Sequence, residues 1–377
     1  MRGRVATTAD PWLAAAILAF VAVRLFVVVL LVASPPDDDP WIGRAGTIAT
    51  SPATPYLHFP VSLMPAEAAA IRALGGAGDD ATVARVAILA FAADLAAAAA
   101  VARGWGRRTA AAYLALGLPL VAAAYLRLDL VAVALAAWAA ATFRERRDSW
   151  FAVLLGLAVW WKLWPLVLAP AAWAGRRRAT WIPAATVALL GGAAWFLWGG
   201  RDGPLQVLTS RGAVGWALDG TVGSLVALLT GAEAIAEAGA LRVGSIPLWA
   251  RAASFVALAA VELAIWRDAA REPDREPFGA TAVAAIAALL ALAPVSPTLA
   301  AAWAVPFVAV ALSSDHEERR VAVLATGAIV VSGLLGLRDP DAQSPQLTLV
   351  ALARNLLWVA VVASWLTRPI GRRPIRR

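Results

Sequence analysis

The chain has 377 residues, of which 61% are hydrophobic and 15% are charged, with a mean hydropathy of +0.71. Soluble domains average about 45–50% apolar and 25% charged residues, so this composition excludes a soluble globular protein and predicts a polytopic membrane protein. The net charge is +8, and the excess of basic residues lies in short loops between apolar stretches. This distribution is explained by the orientation of the chain in the membrane and by contact with lipid headgroups rather than by a nucleic-acid partner. The absence of cysteine excludes disulfides and thiolate chemistry, and with only two histidines any acid–base chemistry falls to Asp and Glu.

Ten apolar stretches predict membrane spans. The first follows Arg2 and Arg4 but is too long for the core of a typical signal peptide, and an acidic, proline-rich loop follows it, so we interpret it as a span. Several of the others are shorter than the roughly 20 residues that usually cross a bilayer. The predicted spans are 12–32, 82–102, 109–125, 128–143, 181–198, 248–266, 280–292, 299–312, 321–337 and 347–365.

Arginine clusters alternate with less basic loops along the chain. By the positive-inside rule, the basic loops and both termini face the cytoplasm. The clusters are Arg107 and Arg108; Arg144, Arg146 and Arg147; Arg176, Arg177 and Arg178; Arg319 and Arg320; and residues 368–377. The predicted fold is therefore all-α, a single integral membrane domain over residues 1–377 that forms a polytopic transmembrane helical bundle in the cell membrane.

The loops between these clusters are predicted to face outwards: 33–80, 125–129, 199–247, 294–297 and 338–346. Two of them, 33–80 and 199–247, are long and contain the moderately amphipathic stretches "MPAEAAAIRAL" and "GSLVALLTGAEAIAEAGAL". Such stretches are typical of short helices that lie on a membrane surface. We expect these two loops to cover the outer face.

Residues 150–173, "WFAVLLGLAVWWKLWPLVLAPAAW", do not fit the alternation, because basic clusters flank both ends. Two half-helices that meet near Lys162 and Pro165 would leave both ends in the cytoplasm, since Pro165 removes a backbone donor and breaks a helix. A break at membrane depth is tolerated where it lines a protein-buried or watery cavity. The alternative is one proline-kinked span with a local exception to the charge rule.

The first outer loop contains two candidate groups. Asp37, Asp38 and Asp39 follow the first span, where a partly desolvated carboxylate can act as a general base; a solvated acidic run is the alternative. Tyr56 and His58 lie in the proline-bounded "TPYLHFPVSLMP", an aromatic turn that could stack on a sugar, although His58 could equally be a surface residue.

Three further candidates are ionisable groups close to the apolar segments. Arg127 and Asp129 lie in the short "YLRLDL" turn, where ionisable groups are costly unless they pair or function; a pair that only staples the turn is the alternative. Lys162 has no acidic neighbour within its own segment, so it either snorkels or meets an anion such as a phosphate at the half-helix ends.

The third outer loop, "TSRGAVGWALDGTVGSLVALLTG", contains three more candidates. Arg211 offers a planar fork for a phosphate or carboxylate, Trp216 a stacking plane, and Asp219 a second carboxylate.

Five segments, in this order, resemble the polyprenol-phosphate-mannose-dependent mannosyltransferases of glycosyltransferase family 87, which have the GT-C architecture. They are the acidic first loop with "PYLHFP" and a following "MP", then "YLRLDLVAVALAAWA", "KLWPLVLAP", "SRGAVGWALDGTVGSLVALL" and "VSPTLAAAWAVPF", over roughly residues 37–306. The chain departs from the family pattern at His58, which replaces Asp, at Ser62, which replaces Glu, and at Gly220, Thr298 and Leu299, which replace Ser, Gln and Tyr.

This resemblance implies a membrane glycosyltransferase that moves mannose or a related sugar from a polyprenyl-phosphate donor to a cell-envelope glycan or glycolipid. One of Asp37, Asp38 and Asp39 is then the base, Lys162 and Arg211 hold the phosphate, and Arg127 and Asp129 shape the sugar site. Tyr56, His58, Trp216, Asp219, Ser296 and Trp303 are implied as further substrate-binding residues. The lipid phosphate leaves with its own charge, so the resemblance implies neither a metal nor another cofactor. A transporter or flippase for a lipid-linked or anionic substrate, and an inactive scaffolding relative, are the alternative functions.

Overall fold

The structure is a computed structural model that describes residues 10–35, 64–74, 79–174, 180–199, 213–237, 240–272, 275–294, 298–314, 316–336 and 344–368. These residues form a helical bundle with one small sheet. Its α-helices are α1 (Pro11–Ala33), α2 (Pro65–Leu74), α3 (Asp79–Trp105), α4 (Arg107–Gly117), α5 (Val121–Ala124), α6 (Asp129–Arg144), α7 (Asp148–Trp161), α8 (Ala171–Ala174), α9 (Trp181–Gly199), α10 (Thr221–Thr230), α11 (Leu248–Ala269), α12 (Ala282–Leu292), α13 (Val305–Leu312), α14 (His316–Gly336) and α15 (Pro345–Leu366).

Five helices within the described residues are long and apolar enough to cross a membrane: Pro11–Ala33, Ala81–Trp105, Leu248–Ala269, Glu318–Gly336 and Pro345–Leu366. Each of these helices coincides with a predicted span, so the structure supports the prediction that the chain is a helical membrane protein. The count of ten crossings and the orientation of the termini stay predictions. The first helix and α11 expose most of their apolar side chains at the edge of the bundle, whereas α6 and α12 are almost entirely buried.

Two predicted spans are not continuous α-helices. The stretch 109–125 is divided between α4 and α5 by a 3-10 turn, Leu118–Leu120, that contains Pro119. The stretch 299–312 begins as a 3-10 helix, Thr298–Trp303, and becomes α-helical only in α13, where Pro306 lies in the first turn. Proline has no backbone N–H to donate. It is therefore tolerated in the first turn of a helix, whereas at other positions it interrupts the regular hydrogen bonds of the helix.

The third of the predicted outer loops contains a three-stranded antiparallel sheet as well as a helix. Helix α10 ends at Gly231, whose φ of 64° is the left-handed conformation that favours glycine. The chain then forms β2 (Ile235–Glu237) and β3 (Ala240–Val243), and β3 also pairs with β1 (Trp216–Ala217). The prediction of a helix was therefore right for the first half of "GSLVALLTGAEAIAEAGAL" and wrong for the second. In the first outer loop, α2 confirms the predicted helix.

The segment 150–173 is broken as predicted. Helix α7 ends at Trp161, Lys162 has extended backbone angles (φ −146°, ψ 143°), and a 3-10 helix, Trp164–Leu168, leads into α8. The break follows from Pro165, which lies in the first turn of the 3-10 helix and cannot continue the hydrogen bonds of α7.

Helices α7 and α9 run parallel to each other. Gly156 packs against Val187, and Gly191, four residues further along α9, packs against Trp160, four residues further along α7. Because two parallel neighbours begin at the same side of the bundle, the broken segment between them has to return to the side from which α7 starts. This agrees with two half-helices whose ends share one side, rather than with a single kinked crossing.

The close packing of α7 on α9 predicts the effect of a substitution at Gly191. A β-carbon there would overlap the indole ring of Trp160, whereas a β-carbon at Gly192 would have no heavy atom within 4 Å. We expect Gly191→Leu to destabilise the protein by about 1–3 kcal/mol through overpacking. Thermal unfolding of the detergent-solubilised protein measures the change.

The matched control is Gly192→Leu, because leucine raises the helix propensity equally at both positions. It is expected to leave the stability unchanged or slightly higher. Equal unfolding temperatures for the two variants would contradict the parallel packing of α7 and α9.

Candidate functional site

Six of the predicted site residues lie within the described part of the chain: Arg127, Asp129, Lys162, Trp216, Asp219 and Trp303. The other seven, Asp37, Asp38, Asp39, Tyr56, His58, Arg211 and Ser296, lie outside the described residues. Their assignment therefore stays a prediction. The structure brings three of the six described residues into one cluster.

Lys162 lies at the break of the α7 segment between two carboxylates from other elements. Its Nζ is 2.9 Å from Oε1 of Glu67 on α2 and 3.3 Å from Oδ2 of Asp129 at the start of α6. The lysine side chain is 19% exposed, Asp129 is 15% exposed and Glu67 is fully buried. The sequence predicted that Lys162 either snorkels or meets an anion, and in the structure it meets two carboxylates. Lys162 is also the only lysine in the chain.

Asp129 joins Lys162 to a second element, the 3-10 helix Thr298–Trp303. Its Oδ1 accepts a hydrogen bond of 3.0 Å from Nε1 of Trp303, while its Oδ2 faces Lys162. A carboxylate in the first turn of a helix also benefits from the positive end of the helix dipole. Arg127 donates to the carbonyl of Leu126 within the turn. A pair with Arg127 that only fixes the turn therefore does not account for Asp129. Its side chain connects the start of α6 with the break after α7 and with the 3-10 helix that ends at Trp303.

A tryptophan pair forms one wall beside this cluster. The rings of Trp303 and Trp164 are stacked, with centroids 5.4 Å apart and planes within 7°. Nε1 of Trp161, the residue before Lys162, donates to the carbonyl of Leu128, the residue before Asp129, at 2.9 Å. Each indole contributes a broad apolar face and one polar N–H, so the pair sets apolar surface beside the charged groups.

Glu67 is the member of the cluster that the sequence did not predict. It belongs to the predicted interfacial helix, and the resemblance directed attention to Ser62, five residues earlier, as the counterpart of the family's glutamate. The signal was the pattern of α2: Glu67 shares a buried face with Ala68 and Ile71, an unusual place for a carboxylate without a cationic partner. Lys162, as the only lysine, was available to be that partner.

The carboxyl of Glu67 is strongly affected by burial. Burial raises its pKa from 4.5 to about 7, and the nearby Lys162 opposes part of this increase. Oε2 has no hydrogen-bond partner within the described residues. Glu67 therefore changes between a charged and a neutral state close to neutral pH.

This pKa predicts how stability depends on pH. Between pH 4.5 and about 7 the folded protein keeps a proton on Glu67 that the unfolded chain has lost, so stability decreases as pH rises and levels off above 7. The total contribution is about 3 kcal/mol. We expect this part of the pH dependence to disappear in Glu67→Gln, as measured by thermal unfolding between pH 4.5 and 8. Parallel curves for the two proteins would contradict the assignment.

Trp216 and Asp219 lie in different surroundings from those predicted. Trp216, on β1, is 8% exposed and packs with Leu218, Val243 and Ile246 in the small core beside the three-stranded sheet. The ring of Trp216 packs in a small core against the short strands, and its assignment as a stacking plane for a substrate stays a prediction.

Asp219 is held between two helices. Its Oδ2 accepts a hydrogen bond of 2.6 Å from Thr298, and its carbonyl accepts from Arg354 and Asn355 on α15. Thr298 begins the same 3-10 helix that ends at Trp303, a distance of about 10 Å at 2 Å per residue. One short helix therefore connects the Asp219 loop to the Lys162 cluster.

Comparison with known proteins returned no match to this chain, either among protein-family models or among curated proteins.

Proposed function

We propose that the protein is a membrane glycosyltransferase that moves mannose, or a related sugar, from a polyprenyl-phosphate donor to a cell-envelope glycan or glycolipid. The observation that carries the proposal is the position of Lys162. The chain places its only lysine at the break of an apolar helix, between two carboxylates and beside a stacked tryptophan pair. A cation within an apolar segment suits an anionic headgroup whose apolar tail stays in the lipid.

In the proposed reaction the acceptor hydroxyl oxygen attacks the anomeric carbon of the donor sugar. The bond from that carbon to the phosphate oxygen breaks, and its electron pair leaves on the lipid phosphate. A carboxylate removes the hydroxyl proton, a role that we keep for one of Asp37, Asp38 and Asp39. Attack opposite the leaving group inverts the anomeric centre. Lys162, with Arg211, stabilises the negative charge that develops on the phosphate.

In this proposal, the protonation of Glu67 controls when the donor phosphate can bind to Lys162. Two carboxylates contact the ammonium directly, and they compete with a further anion for it while Glu67 is ionised. Because burial raises the pKa of Glu67 to about 7, this carboxyl can take up a proton and release Lys162. Asp129 then keeps the lysine oriented, and Trp303 and Arg127 border the sugar.

The proposed site faces the outside of the cell, and both termini are proposed to lie in the cytoplasm. The chain has no cysteine, so single-cysteine variants need no prior changes. Ser245, after β3, and Ser149, at the start of α7, are both exposed. A membrane-impermeant maleimide is expected to label Ser245→Cys in intact cells and Ser149→Cys only after permeabilisation. The opposite pattern would place the site in the cytoplasm.

Transfer is tested with purified protein in liposomes that contain a radiolabelled sugar linked to polyprenyl phosphate and a membrane glycolipid extract as acceptor. The proposal expects the label to leave the donor and to appear covalently in the acceptor fraction. Movement of intact donor between leaflets would instead support the transporter, which the broken helix also suits. An intact and unmoved donor would support the scaffold.

The triple variant Asp37→Asn, Asp38→Asn, Asp39→Asn tests the base in the same assay. We expect a loss of at least about 100-fold, the usual contribution of a general base. The matched control is Asp148→Asn. Asp148 begins α7, at the end of this helix that lies away from Lys162, so the variant should retain the parent rate. Parent activity in the triple variant would show that the base lies elsewhere.

A further inference from the structure

A second polar cluster lies deeper in the bundle, between α1, α3, α4 and α5. Arg24, near the middle of α1, donates from Nε to Oδ2 of Asp94 on α3 at 2.7 Å and from Nη2 to the carbonyl of Leu114 at 2.7 Å. Both charged side chains are almost fully buried. The hydroxyls of Tyr113 and Tyr125 also donate to Asp94, the second at 2.8 Å to Oδ2. Sequence reasoning did not select any of these four residues.

The cluster reaches the candidate site through the chain that follows Tyr125. This residue directly follows α5, as its C-cap, and is the first of the short turn that leads through Arg127 to Asp129. Its ring packs edge-on against Phe91, and its hydroxyl is bound to Asp94, so both parts of the side chain are fixed. The turn that presents Asp129 to Lys162 is therefore anchored at its beginning to a buried ion pair.

A small cavity lies beside the cluster. It is lined by Arg24, Asp94 and Tyr125, and also by Leu130 and Ala302. Leu130 directly follows Asp129, and Ala302 directly precedes Trp303. The cavity thus adjoins the chain neighbours of the two residues that form the hydrogen bond between Asp129 and Trp303. Space beside Tyr125 and Leu130 allows the turn between them to shift if its anchor is lost.

We propose that Tyr125, held by Asp94, is a positioning residue that sets the place of Asp129 and thereby the hold of Asp129 on Lys162. This inference rests on the proposed function for its effect on catalysis, but its structural part does not. Small displacements of groups that bind a reacting substrate reduce rates by as much as about 100-fold. The tyrosine hydroxyl therefore acts on the reaction without touching the substrate.

The test compares Tyr125→Phe with Tyr113→Phe. Each removes one hydroxyl donor from Asp94 and keeps a buried ring, but Tyr113 lies on α4 and does not belong to the turn. A network that only stabilises the fold would respond to both changes alike. A positioning role predicts that only Tyr125→Phe alters the surroundings of Lys162.

The readout is the rate at which acetic anhydride modifies Lys162, followed by peptide mass spectrometry with the α-amine of the same chain as internal reference. As the only lysine, Lys162 gives an unambiguous side-chain signal. We expect a rate increase of about threefold to tenfold in Tyr125→Phe, because Asp129 no longer holds the protonated amine, and no change in Tyr113→Phe. Equal rates in both variants, whether raised or unchanged, overturn the proposal.

Leu130→Ala provides a second variant that does not depend on the tyrosine. It enlarges the same cavity from the side of Asp129 and is expected to accelerate labelling of Lys162 as Tyr125→Phe does. If the liposome assay detects transfer, Tyr125→Phe should also lower kcat about 10–100-fold with KM within a few-fold of the parent value. Accelerated labelling in a protein that transfers no sugar would retain the positioning role and reject the proposed function.

Discussion

Replacement of Lys162 by methionine is expected to lower the rate of sugar transfer at least about 100-fold, the usual cost of removing a group that stabilises developing charge. Methionine keeps the length and apolar body of the side chain but not the ammonium that lies between Glu67 and Asp129. The decrease should appear mainly in kcat, because the charge on the lipid phosphate grows as the sugar departs. Initial rates in donor-containing liposomes measure it.

The control for this variant separates chemistry from stability. Lys162→Met leaves two carboxylates without their cation, and breaking a buried pair in this way costs about 3–5 kcal/mol. The double variant Lys162→Met, Glu67→Gln removes one of these charges and should recover much of the stability. It should still be inactive. Recovery of the transfer rate together with the stability would mean that Lys162 only balances charge.

Loss of Arg24 is expected to destabilise the protein strongly. Arg24→Leu leaves the carboxylate of Asp94 buried without its cation, and we expect destabilisation of about 3–5 kcal/mol. The two tyrosine hydroxyls that remain on Asp94 reduce this cost but do not supply a positive charge. Unfolding in detergent mixtures of increasing sodium dodecyl sulfate content measures the change.

The double variant Arg24→Leu, Asp94→Leu tests whether the cost comes from the unpaired charge. Replacing both members of a buried pair by apolar residues is often neutral, so most of the lost stability should return. If the double variant were as unstable as Arg24→Leu alone, lost packing rather than charge would be responsible.

The sequence predicted the helices well because their signal is local. Each described helix that is long and apolar enough to cross a membrane coincides with a predicted span, since about 20 apolar residues have few other solutions. The break near Lys162 was predictable for the same reason, because Pro165 acts on its own segment. The strands β2 and β3 were not predictable, because their alanine-rich stretch is equally compatible with a helix, and the left-handed conformation of Gly231 that ends α10 is not evident from the sequence pattern.

The candidate site was only partly predictable because its contacts join distant parts of the chain. Lys162 and Asp129 were selected as costly charges near apolar helices, and the structure pairs them at 3.3 Å. Glu67 was missed because nothing in α2 alone reveals that its buried face meets α7. The pair of Arg24 and Asp94 was missed because each residue by itself is a single charge in a long apolar helix. Such pairs become visible only when the packing of the helices is known.

The most direct test of the central claim is the modification of Lys162 in the presence of the donor. Polyprenyl phosphate carrying mannose, without acceptor, should slow the reaction of this single lysine with acetic anhydride several-fold, since the phosphate would hold the ammonium and cover it. The uncharged polyprenol, which has the same tail, should have little effect. Equal labelling rates with saturating donor and with polyprenol would contradict a phosphate site at Lys162.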